Sequence, residues 1–103
     1  MASLRYRGKY NAALYALAVG EGDVRQRLKG AYRQLRMLRE DEVPEDQRKE
    51  WASILNILVK RGPIRGPNGE VYKGALEHTL DRMKNVSGRR IAERVYSLVR
   101  SIE

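Results

Sequence analysis

The chain has 103 residues and a formal net charge of +8, because 21 lysine and arginine residues outnumber 13 aspartate and glutamate residues. It has no cysteine, which excludes disulfide bonds and thiolate zinc sites. The longest apolar run, Ala12 to Val19, is much shorter than the roughly 20 residues of a membrane helix. The first residues also lack the pattern of a signal peptide. We therefore expect a single helical domain over residues 1–103, located in the cytoplasm and not in a membrane.

The first predicted helix is indicated by apolar side chains that recur at i, i+4, i+7, i+8 and i+11 along residues 6–17. Gly8 weakens the first turns of this helix by up to about 1 kcal/mol, so we place its start near residue 9. Gly20 is predicted to end it. Asp23 then has the position of an N-cap for a second helix, which carries one continuous apolar stripe.

The third predicted helix has Pro44 at its first position, where the missing N–H of proline costs nothing. Its apolar arc covers more than half of the circumference, so we expect this helix to be the central one. Gly62 and Pro63 end it. A loop follows, with Pro67 and Asn68 at the centre of a predicted β-turn.

The last two predicted helices follow this loop. The fourth begins between residues 70 and 75 and ends near Asn85, and Ser87 is predicted to cap the fifth. Apart from a short extended piece at residues 69–72, no segment alternates with the period of two that a strand requires. The fold class is therefore predicted to be all-α, as a compact bundle of four to five short helices.

Groups that could carry out catalysis are scarce. His78 is the only histidine, and it lies opposite the apolar residues of its predicted helix, so we expect it to face water. No phosphate-binding glycine motif is present. The acidic residues between 41 and 46 have the oxygen ligands that Mg²⁺ takes, but their place at a helix start is the simpler explanation for them. We predict no enzymatic activity, no metal site and no cofactor.

A stripe of basic residues on the second predicted helix is the strongest functional signal. Arg25, Lys29, Arg33 and Arg36 are spaced at i, i+4, i+8 and i+11, beside the apolar stripe. Like charges on one stripe cost helix stability, and the backbone of a nucleic acid would neutralise them. The alternative is that these residues form ion pairs with the acidic segment 41–50 within the same fold.

Two further groups of basic residues join this stripe in the predicted site. Arg5, Arg7 and Lys9 lie near the start of the first helix, and Arg89 and Arg90 lie in the first turn of the last helix. Positive side chains at a helix N-terminus oppose the helix dipole, and a bound phosphate would offset that cost. The alternative is that Arg89 and Arg90 point outward or reach an acidic neighbour.

The fourth and fifth predicted helices resemble a helix-turn-helix only weakly. Residues 85–87 suit the turn, but Asp81 occupies a position that needs a small apolar residue, and Lys84 and Arg94 occupy positions where core residues are expected. No base-reading motif remains, so sequence-specific recognition is not predicted.

The leading hypothesis is a small non-enzymatic module that binds DNA or RNA non-specifically, in a salt-dependent way, through phosphate contacts. The alternative is a protein-interaction module, such as an adaptor, an inhibitor or a self-associating subunit. In that case the arginines meet an acidic protein partner, and Trp51 or exposed tyrosines anchor the interface. Binding to anionic lipid is disfavoured, because no predicted helix combines a basic face with large exposed apolar residues.

Overall fold

The computed structural model describes residues 4–20 and 22–102, and the side chains of residues 8–20 and 22–101. Five α-helices in this part of the chain pack around one apolar core, which confirms the predicted all-α bundle. In chain order they are α1 (Leu4–Val19), α2 (Val24–Arg36), α3 (Arg48–Leu58), α4 (Ala75–Asp81) and α5 (Asn85–Ile102). An antiparallel hairpin of β1 (Ile64–Arg65) and β2 (Val71–Lys73) lies between α3 and α4. Within the described residues, none of the helices combines the length and the apolar character needed to cross a bilayer.

The centre of the bundle is α2, which packs against each of the other four helices. Its residues Leu28, Ala31 and Leu35 are fully buried. The prediction that α3 is central was wrong. Only one stripe of α3, containing Ile54 and Leu58, is fully buried, and the rest of its wide apolar arc is half-buried beside grooves on the surface.

Local signals set the junction between α1 and α2. Helix α1 ends at Val19, as predicted from Gly20, and the Asp23 carboxylate accepts hydrogen bonds from the backbone N–H groups of Arg25 and Gln26 at the start of α2. The start of α1 differs from the prediction, because the helix begins at Leu4 and continues through Gly8. Extensive packing of α1 against α2 outweighs the low helix propensity of one glycine.

Two predicted helix starts were wrong by a few residues. The carbonyl of Pro44 accepts from the Gln47 N–H at 2.8 Å, so Pro44 precedes a 3-10 turn (Glu45–Gln47) and α3 begins only at Arg48. Ser87 lies inside α5, because the Gly88 N–H already donates to the Lys84 carbonyl at 3.0 Å. Both segments contain turn-favouring residues whose hydrogen bonds depend on the neighbouring geometry.

The hairpin turn follows the predicted chemistry. The Gly69 N–H donates to the Gly66 carbonyl at 3.0 Å around Pro67 and Asn68, and Gly69 has a φ of +83°, which glycine adopts without strain. The extended piece predicted at residues 69–72 corresponds to β2, which pairs with β1.

A close contact between α2 and α5 occurs at Gly88, which is buried in the first turns of α5. A Cβ atom at this position would lie 3.0 Å from Cγ1 of Val24 and 3.7 Å from Cδ1 of Leu28. The absence of a side chain at Gly88 therefore lets the start of α5 lie directly on α2.

Candidate nucleic-acid interface

Two of the four basic residues in the stripe on α2 form ion pairs within the fold. The Arg25 guanidinium donates to Asp23 Oδ2 at 2.8 and 3.1 Å and to the Met83 carbonyl at 3.2 Å. This side-chain hydrogen bond, followed by that from the Gln26 N–H, lowers the pKa of Asp23.

The other members of the stripe have different surroundings. Lys29 Nζ lies 3.5 Å from Glu77 Oε1 on α4, whereas Arg33 and Arg36 are exposed. The ion pairs of this stripe are thus made with Asp23 and Glu77 and not with the acidic segment 41–50.

The basic group on α1 is partly engaged within the fold. Lys9 Nζ donates to the Met37 carbonyl at 3.0 Å and lies 3.4 Å from Oε1 of the buried Glu42. The Arg39 backbone N–H, and then Lys9, lower the pKa of Glu42. Lys9 therefore joins α1 to the segment after α2. The side chains of Arg5 and Arg7 lie outside the described residues.

A cavity of about 530 Å³ is lined by more basic side chains than either of these groups. It lies between the C-terminal end of α3, the turn that joins α4 to α5, and the first half of α5. Its described lining contains no carboxylate and six basic side chains, which are Lys60, Arg61, Arg82, Lys84, Arg90 and Arg94. Below we call this cavity the basic cleft.

The turn after α3 places Lys60 and Arg61 at the basic cleft. The Arg61 N–H donates to Oγ1 of the buried Thr79 at 3.2 Å, which attaches this turn to α4. His78 Nδ1 lies 2.9 Å from the Gly62 carbonyl, so its ring is half-buried against the same turn. The prediction that His78 faces water was wrong, because sequence spacing does not show the loop that covers it.

The opposite side of the basic cleft comes from the α4–α5 turn and from α5. Arg82 and Lys84 lie on the turn, and Arg90 and Arg94 lie one helical turn apart on α5. The contact of Gly88 with α2 fixes the position of this part of α5. The apolar residues Ile57, Met83 and Ile91 also line the cavity.

One of the six cations has a carboxylate partner. Arg94 donates to both carboxylate oxygens of Glu50 at 3.0 and 2.6 Å and to Ser53 Oγ at 3.1 Å. The Arg94 hydrogen bond lowers the pKa of Glu50, and that of Arg94 is raised in turn. The other five are exposed and have no carboxylate partner within the described residues.

A second concavity of about 540 Å³, the α3 groove, continues from the basic cleft along one face of α3. It shares Ile57 and Lys60 with the cleft, and Lys49 lies at its other end. Lys60 lies eleven positions after Lys49 and two residues beyond the end of α3, which corresponds to roughly 16 Å of helical rise. The two concavities are therefore continuous, with a lysine at each end of the α3 groove.

The predicted pair Arg89 and Arg90 points to different sides of α5, because neighbouring residues are about 100° apart around a helix axis. Arg90 lines the basic cleft, whereas Arg89 lines a different cavity of about 830 Å³ between α1 and α5, together with Arg27 and Tyr96. We call the cavity between α1 and α5 the α1–α5 groove. Of the predicted site residues whose side chains the structure describes, only Arg90 lines the basic cleft.

The predicted anchors for a protein partner also differ in exposure. Trp51 Nε1 donates to the Leu35 carbonyl at 3.0 Å, so its indole N–H is used within the fold. Tyr15, Tyr72 and Tyr96 are each more than half exposed.

The acidic segment after α2 is arranged around basic side chains. Asp41 lies 3.3 Å from Arg39 Nε, and Glu42 contacts both Arg39 and Lys9. Over the described ranges of the chain, no group of three or more histidine, aspartate or glutamate side chains is placed to hold a metal ion.

Besides Arg94 on α5, four further cations of the basic cleft were not predicted from the sequence: Lys60, Arg61, Arg82 and Lys84. They come from two turns and share no helical spacing. One local signal was present, because residues 82–90 contain four basic residues and no acidic residue.

Comparison with known proteins identifies no relative: no protein-family model, no curated protein and no solved structure matches this chain.

Proposed function

We propose that the protein is a non-enzymatic module that binds DNA or RNA by placing backbone phosphates in the basic cleft. One observation carries the proposal. Five exposed cations from three segments of the chain converge on one concave surface, and none of them has a carboxylate partner among the described residues.

The physical reason is the balance of charge. Like charges held together repel one another, and a phosphate chain relieves this repulsion while it releases condensed counterions to the solvent. Arginine side chains such as Arg82 and Arg90 can donate two parallel hydrogen bonds to one phosphate. Because phosphates are the same at every base, the expected binding is non-specific.

The salt dependence of binding tests this function. Five phosphate contacts predict a slope of log affinity against log salt of about −4.5, since each contact contributes about −0.9 on a B-form duplex. The measurement is fluorescence anisotropy of labelled DNA and RNA, each as duplex and single strand, between about 50 and 200 mM salt. If none of these nucleic acids binds at the lowest salt concentration, the proposed function is wrong.

Replacing Glu50 with glutamine should increase the affinity for nucleic acid. Glu50 engages Arg94 at the edge of the basic cleft, so the substitution frees a sixth cation and removes a nearby negative charge. We expect several-fold tighter binding and a salt slope steeper by up to about 1.

The matched control for this variant is Glu77→Gln, which removes the same charge beside Lys29, outside the basic cleft. If both variants increase the affinity equally, net charge explains the effect and Arg94 has no special role.

A second candidate partner is an acidic protein. The observation that favours it is Tyr96, which is half exposed and lies with Arg27 and Arg89 in the α1–α5 groove. Tyrosine and arginine are enriched at the energetic centres of protein interfaces. Such a complex would persist at salt concentrations at which nucleic acid dissociates. The variant Tyr96→Ala would weaken this complex without changing the affinity for nucleic acid.

A further inference from the structure

We infer that the ligand of the basic cleft is a double helix and not a single strand. The inference rests on the proposed function and names the class of nucleic acid that fits the same surface. DNA and RNA duplexes present the same chemistry here, namely regular rows of phosphates.

The first argument is the kind of side chain that lines the surface. Between and below the cations, the basic cleft and the α3 groove present aliphatic, hydroxyl and amide groups, such as Ile57, Ser53 and Asn56. A duplex needs no more than this, because its bases are already stacked on one another and its phosphates face outward.

The exposed aromatic rings of the described residues lie elsewhere. Tyr15 lies on α1, Tyr72 on β2, and Tyr96 in the α1–α5 groove. Proteins that bind single strands usually place aromatic rings along a basic groove, where successive bases stack on them. In this protein the exposed rings that the structure describes lie outside the basic cleft and the α3 groove, and Tyr96 lies instead beside Arg27 and Arg89.

The second argument is length. Lys49 lies in the first turn of α3 and Lys60 just after its end, and the eleven positions from one to the other correspond to roughly 16 Å of helical rise, which equals the axial rise of about five base pairs of a duplex. Lys49 is mounted on α3 and Arg90 on α5, so the ends of the surface are held on helices. A duplex presents its phosphates in a fixed row, whereas a flexible single strand must be ordered when it binds.

A competition experiment tests the inference. The full chain is bound to a fluorescein-labelled DNA duplex of about 20 base pairs and displaced by an unlabelled DNA duplex, an RNA duplex, or single strands of the same length that cannot self-pair. We expect at least one duplex to compete at about a tenfold lower phosphate concentration than any single strand, because the duplex needs no ordering.

The other outcomes are distinct. If the single strands compete as well as both duplexes, the inference is wrong while the proposed function stands. If neither duplex nor single strand binds, the proposed function fails first, and the inference fails with it.

Three variants at exposed residues test the same inference from the protein side. Tyr72→Ala and Tyr96→Ala should leave the affinity for nucleic acid within about twofold, whereas Lys49→Gln should lower duplex affinity several-fold and reduce the salt slope by about 1. All three side chains are exposed, and circular dichroism verifies folding. A large loss of affinity in either tyrosine variant would indicate base stacking and overturn the inference.

Discussion

Replacing Arg82 and Arg90 together with glutamine should lower the affinity for a DNA or RNA duplex by about a hundredfold at about 50 mM salt, and reduce the salt slope by about 2. Both side chains are exposed and line the basic cleft, so the double variant removes two phosphate contacts without opening the core. Anisotropy titrations at several salt concentrations measure both quantities.

The matched control is the double variant Arg33→Gln and Arg36→Gln on α2. It removes the same two guanidinium groups and the same net charge from exposed positions outside the cleft. We expect a change of less than about threefold, because only the long-range attraction is altered. Equal losses in both variants would mean that binding follows net charge. A loss of affinity confined to the control variant would place the interface at the C-terminal end of α2.

Replacing Leu28 with alanine should lower the free energy of unfolding by about 2–5 kcal/mol, a large share of the stability of a small domain. Leu28 is fully buried on the central helix, where its Cδ1 lies near Gly88 of α5. Urea unfolding can be followed through the fluorescence of Trp51, the one tryptophan of the chain.

The control for the Leu28 variant is Met37→Ala. Met37 is 61 % exposed just after α2, so its removal should change the free energy of unfolding by no more than about 0.5 kcal/mol. Comparable losses in the two variants would contradict the position of α2 at the centre of the bundle.

The fold was largely predictable because its signals are local and periodic. The apolar stripes of α2 and α5 repeat over several turns. The N-cap Asp23 directly precedes α2, so the signal and the helix that it starts are neighbours in the sequence. The starts of α3 and α5 were less predictable. Pro44 and Ser87 each suit several positions near a helix start, and the choice depends on tertiary contacts.

The candidate site was mostly not predictable, because it depends on contacts between distant residues. The spacing of the basic stripe on α2 was visible, but its partners Met83 and Glu77 lie 58 and 48 residues away from Arg25 and Lys29. The basic cleft joins two turns to one face of α5, and no helical period connects these segments. Of the cleft cations only Arg90 was predicted, from its expected place in the first turn of the last helix, and that place was wrong because α5 begins at Asn85 and Arg90 lies in its second turn.

The buried glycine at position 88 has a consequence for how this protein can vary. It lies two residues before Arg90, and a side chain there would meet Val24 on α2. A Cβ added at position 88 would require its neighbour Val24 to give way by a few tenths of an ångström, and a larger side chain would need more room between α2 and the start of α5. Substitution at this interior position is thus limited by the packing of α5 on α2, and the same stretch of α5 carries Arg90 of the basic cleft.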